Sequence, residues 1–581
     1  MCRFFTIWMC TSLLHLILCI VCAFGLYETA PPHIIVFMAD DLGWNDVGFH
    51  GSNQIPTPNI DALGYNGIIL NRHYVLPSST PSRIAFFTGL YPIRLGMRMQ
   101  GEGIRGGEPR GLPLNIKILP EYLRGLGYTT KLIGKWHMGY HTPQYTPLHR
   151  GFDTFLGFYN SHISYYDYRY SNKNMSGYDM HRGDDPAHGF NREYATDLFT
   201  DEAIRIIENH EVPRPLYLQL SHLAVHGPLE QPIDEYNDRE TIQIREPNRR
   251  KYAKMVSKLD KSVGAIVHAL GEKGMLRDSL ILFLTDNGAP SIGRCGNYGS
   301  NYPLRGTKYT LHEGGVRGVA ALWSSRLQKA ARVSNELVHI TDWLPTLYSA
   351  AGGDLKDLGE IDGIDQWRVL SEGYGRGREK LLLNINEVSK TEGAIYSRFK
   401  LLRGENGFYD GYYGDSGRTL ETPPYTEVVL NSTVSQSITY HLGGPVTQPS
   451  TMLQLRRDGT VQCDTNLTYS DKRLLTSCNV TECLFDIVND PCETKNVAEV
   501  YVRIAKDLDR YLEYYGHILE RQMITRVDWF ADPRMRNDTW EPWINSGAVI
   551  YVSNAADMLG NLIYYIHISI IFVSILLNNY I

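Results

Sequence analysis

A surplus of positive charge is absent from this chain: 57 Lys and Arg stand against 63 Asp and Glu in 581 residues, a formal net charge of −6. Non-specific nucleic-acid binding relies on dense cationic groups that displace counterions, so it has no driving force here. Internal repeats and low-complexity tracts are also missing, which excludes solenoids and compositionally driven disorder. Cysteine is scarce, and the odd count of nine leaves one thiol unpaired. What is present is a globular composition, 43% hydrophobic and 21% charged. The length suits roughly two to four domains.

The cysteines separate by position. Cys2, Cys10, Cys19 and Cys22 precede the rest, in a stretch where Arg3 leads into the apolar run from Leu13 to Cys22. Val21-Cys22-Ala23 adds small residues for cleavage, so residues 1–23 read as a secretory signal peptide. Five cysteines remain beyond it: Cys295, and a late cluster of Cys463, Cys478, Cys483 and Cys492 that suits disulfides in an oxidising compartment. Sequons at Asn174, Asn431, Asn466, Asn479 and Asn537 agree with a secretory route.

A second apolar run, Leu562 to Leu577, contains His567 and is followed by no Lys or Arg. It falls short of the roughly 20 residues of a spanning helix. Residues 546–581 therefore read as a GPI-attachment signal in preference to a transmembrane anchor, with small residues at Asn545-Ser546-Gly547-Ala548. Either form places the product outside the cytosol, extracellular or lysosomal, with the membrane reached through a C-terminal anchor.

From Pro31 to about Asp365, strand-like and helical patterns alternate, as in an α/β sheet with crossover helices. His33 to Ala39, Leu216 to Leu220 and Ser279 to Thr285 are continuous apolar runs, the pattern of buried parallel strands. Thr57-Pro58 reads as an N-cap with proline at the first helical position. A long helix is expected over about Arg250 to Leu270, with Gly271 stopping it. Past residue 380 the texture changes. Residues 31–385 are read as one domain and 386–545 as a smaller subdomain, with antiparallel hairpins over Val428 to Cys492 and a helix near Val497 to Tyr515.

In open α/β sheets, ligands collect beyond the carboxyl ends of the strands. Asp40-Asp41 follows the first strand there, and Asp286-Asn287-Gly288 follows another. Alone, the first pair reads as a solvated loop and the second as a turn. At equivalent strand ends together they supply hard oxygen ligands for a divalent cation. Ser79-Thr80-Pro81-Ser82-Arg83 opens a helix, with Thr80 read as its N-cap and Pro81 as its first residue, and Arg83 would add a fork for an anion. Lys135 and His137 in Gly134-Lys135-Trp136-His137, His226 in Val225-His226-Gly227-Pro228, and Lys308 follow further strands or loops. Gathered around one metal, they would form a site for a tetrahedral anion.

Several motifs in consistent order carry a family likeness: Met38-Ala39-Asp40-Asp41-Leu42-Gly43-Trp44, Thr57-Pro58-Asn59-Ile60-Asp61, Gly134-Lys135-Trp136-His137, Arg150-Gly151-Phe152-Asp153-Thr154, and Pro303-Leu304-Arg305-Gly306 with Glu313-Gly314-Gly315. By these the chain resembles type I sulfatases, and animal arylsulfatases of the B group in particular, from about Pro32 to Trp367. The resemblance implies an alkaline-phosphatase-like α/β fold, a large mixed sheet flanked by helices, with a smaller C-terminal antiparallel-sheet subdomain. It implies Ca²⁺ held by Asp40, Asp41, Asp286 and Asn287, and sulfate oxygens bound by Arg83, Lys135 and Lys308. His137 would orient and activate the nucleophile, and His226 would serve the leaving oxygen. The substrate would be a sulfated small molecule or glycan. A Cys483–Cys492 disulfide is the family-like pairing, leaving Cys295 as the odd thiol.

Position 79 departs from the family. Members carry a cysteine there that is oxidised to formylglycine, whose hydrate attacks sulfur with one hydroxyl and expels sulfate through the other. Ser79 offers a single hydroxyl. The family's Thr-Gly-Arg, which helps the converting enzyme recognise its target, reads Thr88-Gly89-Leu90. Two readings are open: a sulfuric ester hydrolase with Ser79 matured or acting unusually, or a silent sulfatase fold that binds sulfated ligands. A third makes Ser79 a phosphoryl-transfer nucleophile, although phosphatases of this fold use paired metals. The loop with Tyr165, Tyr166, Tyr168 and Tyr170 reads as a packed aromatic cluster, with stacking on a sugar or aryl ring as the alternative.

Overall fold

A computed structural model describes residues 30–544, apart from 98–102, 173, 191, 234–240, 294–295, 405–406, 415, 418–423, 445, 464–477, 479–481 and 522–524. The signal segment, Cys295, Asn466, Asn479 and the apolar tail therefore lie outside the described residues. Among the described residues, no helix is long and apolar enough to cross a membrane. Asn174, Asn431 and Asn537 are all exposed.

Five strands form a continuous parallel run: β1 (His33–Ala39), β2 (Thr129–Lys135), β3 (Thr154–Phe158), β4 (Leu216–Ser221) and β5 (Ser279–Thr285). Their spatial order is β5-β1-β4-β2-β3. Every residue of β1, β4 and β5 is buried, because both faces are covered, and this explains their unbroken apolar sequences. Antiparallel pairing at both flanks, by Ala320–Ser324 on β5 and His181–Arg182 on β3, helps extend the sheet to ten strands and makes it mixed.

Four helices frame the sites on this sheet: α1 (Pro58–Asn66), α2 (Ser79–Thr88), α3 (Pro247–Glu272) and α4 (Thr433–Leu442). The apolar positions of α3 from Tyr252 to Leu270 are fully buried, as their i, i+3, i+4 spacing predicts. The helix runs through Gly271 instead of ending there. Asp260 of α3 caps α1, accepting from the backbone N–H of Ile60 at 2.8 Å and of Asn59 at 3.0 Å. Thr57 stands at the expected N-cap, but its hydroxyl accepts from Gly48 N–H at 2.8 Å.

The smaller sheet is antiparallel, built from Lys380–Asn386, Thr391–Tyr396, Phe399–Arg403 and Cys483–Asp486, with the helix Val502–His517 against it. Among the described residues of Val428 to Cys492, the expected hairpins are absent, and Cys483–Asp486 is the one strand, paired with Phe399–Arg403. Tyr425–Leu430, α4 and Pro449–Gly459 are helices there, and α4 packs on α1 and α3. β-Branched residues gave that stretch a strand-like look, but Val434 and Ile438 are buried four apart on one helical face.

The disulfides are Cys463–Cys492 and Cys478–Cys483, which corrects the Cys483–Cys492 pairing. Cys483 opens the last strand of the small sheet and pairs with Cys478, while Cys492, past that strand, pairs with Cys463.

A buried ion network joins the two sheets. Lys400 Nζ is 2.9 Å from both Glu313 Oε1 and Glu493 Oε1. Tyr74 donates to Glu313 Oε2 at 3.0 Å, and His312 Nδ1 lies 3.0 Å from Glu493 Oε2.

Candidate active site

The carboxyl ends of β1 and β5 bring the two acidic pairs together. Asp41 N–H donates to Asp286 Oδ1 at 3.2 Å, and Asn287 Nδ2 donates to Asp41 Oδ1 at 2.6 Å. Asp40, Asp41, Asp286 and Asn287 are all buried. Asp41 and His137 both hold left-handed backbone, φ 64° and 55°, a conformation that non-glycine residues keep only where the surroundings enforce it.

The helix α2 aims its first turn at this cluster. Ser79 is its first residue and Ser78 its N-cap, in place of the expected Thr80 cap. Pro81 is tolerated at the third position because N–H groups of the first turn have no intrahelical acceptor. Ser79 Oγ lies 3.1 Å from Asp40 Oδ1 and 3.1 Å from Asn287 Oδ1, and its one proton can serve only one of them.

Three cations ring the carboxylates. Arg83 donates through Nε and Nη2 to Asp286 Oδ2 at 3.2 and 2.8 Å. Lys135, at the end of β2, reaches Asp40 Oδ2 at 2.6 Å, and Lys308 reaches Asp41 Oδ1 at 2.5 Å. Burial alone would raise the Asp40 carboxyl, but Lys135 and its other positive neighbours hold it below the usual range. Burial opposes the Lys308 ammonium, yet Asp41 and the other carboxylates raise it well above the ordinary lysine value. Lys135 is pushed the other way: burial, more than the opposing pull of Asp40, lowers its ammonium below the ordinary lysine value.

The histidines take different places. His226 Nε2 lies 3.6 Å from Asp41 Oδ2, and its Nδ1 is 2.6 Å from Gly227 O. His137 meets Thr80 Oγ1 at 3.0 Å and Ile104 O at 3.1 Å. Burial first, then Lys135 and Arg83, push its pKa well down and keep it neutral. Its hydroxyl partner is thus Thr80, the neighbour of Ser79.

Sequence reasoning missed His162, which stacks on His226 with ring centres 5.1 Å apart and is likewise held neutral, by burial and then by His226. It also missed Asn297, whose amide donates to Asp41 O at 3.0 Å and Val225 O at 3.1 Å. Neither stands in a strand-end motif, so no local signal marked them. Tyr165, Tyr168 and Tyr170 are buried, and Tyr165 donates to His226 O at 2.9 Å, so this ring cluster packs behind the site.

Two buried atoms of opposite sign lack hydrogen-bond partners: Asp41 Oδ2 and Arg83 Nη1. An orphaned carboxylate oxygen among three carboxylates and an amide oxygen fits a hard divalent cation, and Asp40, Asp41 and His226 cluster tightly enough to hold a metal. The spare guanidinium N–H beside two lysines fits an anion.

Carboxylates for a cation and a cationic ring for an anion, at the carboxyl edge of a mixed sheet, define a hydrolase-type centre for a tetrahedral oxyanion ester. The chain belongs to the sulfatase family, whose model, described as Sulfatase, matches residues 32–353. It is similar to Arylsulfatase J of Mus musculus, 34% identical over 526 residues covering 89% of this chain and 81% of that one. It is also similar to N-acetylgalactosamine-6-sulfatase of Mus musculus, 33% identical over 406 residues, covering 65% and 75%. Among solved structures, the crystal structure of Ps i-CgsB in complex with k-i-k-neocarrahexaose shares the fold at TM-score 0.65 and 24% identity, over 87% of this chain and 97% of that one.

Proposed function

We propose that this chain is a calcium-dependent sulfatase-fold protein that captures sulfate esters of aryl or carbohydrate alcohols, and that Ser79 limits its turnover. One observation carries the reading: Ser79 Oγ sits 3.1 Å from oxygens of Asp40 and Asn287, and by the sequence resemblance position 79 is that of the family's nucleophile. Asp40, Asp41, Asp286 and Asn287 would hold Ca²⁺. When bound, that ion would supply positive charge beside the sulfate oxygens. Arg83, Lys135 and Lys308 bind the sulfate, and His226 gives a proton to the departing alcohol oxygen. The names of the relatives, an arylsulfatase and a sulfatase of N-acetylgalactosamine 6-sulfate groups, support this substrate class.

The limit on turnover follows from the oxygen count. Attack by Ser79 Oγ on sulfur releases the alcohol with one added proton and leaves a serine O-sulfate. A formylglycine hydrate would then expel sulfate by re-forming its carbonyl with the second hydroxyl. Serine has no second hydroxyl, so its sulfate ester stays until water attacks it. The unconverted protein accordingly binds sulfate esters and cleaves at most one before water frees Ser79.

The test is mass spectrometry of the peptide bearing residue 79, joined to an aryl sulfate assay. The expected result is an unmodified serine with no sustained hydrolysis, and gain of activity by Ser79→Cys co-expressed with the formylglycine-generating enzyme. A wild-type peptide lighter by two hydrogens, or robust wild-type hydrolysis, would overturn the limit set by Ser79.

A further inference from the structure

A second group of metal-binding side chains lies where the end of α3 meets the end of α4. His268 and Glu272 stand one turn apart on α3, the i, i+4 spacing that places two side chains on one face. His441 reaches them from the last turn of α4. One ligand atom of each lies within 4.8 Å of the others, and His441 Nε2 is 3.4 Å from Glu272 Oε1.

The backbone makes room for this arrangement. The His441 ring lies directly on Gly271, where an added Cβ would come within 2.2 Å of His441 Cδ2 and 2.6 Å of its Nε2. A side chain at 271 would push the imidazole off Glu272. Gly271, which the sequence pattern assigns to stopping the helix, instead provides a seat for the ring inside α3. The other imidazole is oriented as well. Ser437, one turn before His441 on α4, has its hydroxyl 3.4 Å from His268 Nδ1, which leaves Nε2 as the ligating nitrogen. Two i, i+4 pairs, one per helix, thus face each other: two ligands on α3, and on α4 the third ligand with the serine that orients His268.

We propose that His268, Glu272 and His441 bind a borderline divalent cation of the zinc type, which clips α4 onto α3. Two imidazoles and one carboxylate suit such an ion, whereas the all-oxygen set at Asp40, Asp41, Asp286 and Asn287 suits a hard one. Three protein ligands at the surface leave a coordination position for water, so the ion exchanges with solution. The two helices come from distant parts of the chain, and an ion held by both stabilises only the folded state.

The test uses the full chain saturated with Ca²⁺ and titrated with Zn²⁺ by calorimetry, with the Tm read in parallel. One equivalent of Zn²⁺ is expected, with a rise in Tm. His268→Ala and Glu272→Gln, both at exposed positions, should weaken binding by at least about tenfold and remove the Tm rise, and Ser437→Ala should weaken it less. Each variant's Tm without Zn²⁺ reports whether it folds. No Zn²⁺ binding by the wild type, or equal binding by His268→Ala and Glu272→Gln, would overturn the proposal. So would loss of Zn²⁺ binding on Asp40→Asn together with its retention in His268→Ala, since the ion would then sit at the other cluster.

Discussion

Two buried clusters of charge, one at the strand ends of the large sheet and one between the two sheets, differ in how closely their groups are paired. Around Lys400, each oxygen of Glu313 and Glu493 lies within 3.0 Å of a cation or a donor, Lys400, Tyr74, His312 or the Glu313 N–H, although Glu493 Oε1 meets Lys400 as an ion pair without a hydrogen bond. Around Asp40 and Asp41, with comparable burial and three cations, Asp41 Oδ2 has only His226 Nε2 at 3.6 Å and no hydrogen bond, and Arg83 Nη1 has no hydrogen bond. A network in which every charge has a close partner is consistent with a structural role, since ions buried at such cost persist when they are paired. Leftover atoms of both signs indicate a site completed by something else. Satisfaction of the charges, more than their burial, separates the two.

The comparison breaks most sharply at Lys400. Lys400→Met strands two buried carboxylates and should cost about 3–5 kcal/mol in denaturant unfolding. Affinity for sulfate esters in the fraction still folded should be unchanged. A loss under about 1 kcal/mol would mean the network is not closed in solution.

Acid sharpens the same contrast. Burial alone would raise Glu493, but Lys400 and His312 outweigh it and bring its carboxyl down to about 2. A depressed acid stabilises the fold above its unfolded value of about 4.3 and loses that contribution as pH falls toward the folded one. Unfolding free energy should therefore fall by roughly 3 kcal/mol more in the wild type than in Glu493→Gln between about pH 6 and 1, most of it below about pH 4.3. Parallel pH profiles for the two proteins would contradict this.

The smallest expected effect belongs to the open cluster. Arg83→Ala should weaken binding of an aryl sulfate by roughly 100-fold, about 2–3 kcal/mol, measured by calorimetry in Ca²⁺. Unchanged affinity would remove Arg83 from the anion site.

Much of the open cluster was legible because its residues follow strand ends, and strands with continuous apolar runs such as His33–Ala39 and Ser279–Thr285 announce themselves. Asp40, Asp41, Asp286, Asn287, Ser79, Arg83, Lys135, His226 and Lys308 converge as their positions after those elements imply. His137 converges with them but bonds to Thr80, a difference of one residue at the start of α2 that no local pattern reports. The closed cluster was illegible, because Glu313, Lys400 and Glu493 come from three distant segments joined only by tertiary pairing. The same reason hid the disulfide partners and the helices between Tyr425 and Gly459, where β-branched residues imitate strand.

Ser79 is 3% exposed, in the first turn of α2 and against the β1 and β5 ends. Burial of that degree sets an order of events. An enzyme that rewrites the side chain at position 79 must grip the chain around it before α2 docks, because the finished fold buries every residue of that helix, whereas a small sulfate ester has only Oγ to reach. The chemical state of residue 79 is therefore a record of what the chain met during its synthesis, and later exposure of the folded protein to a converting enzyme leaves that record unchanged.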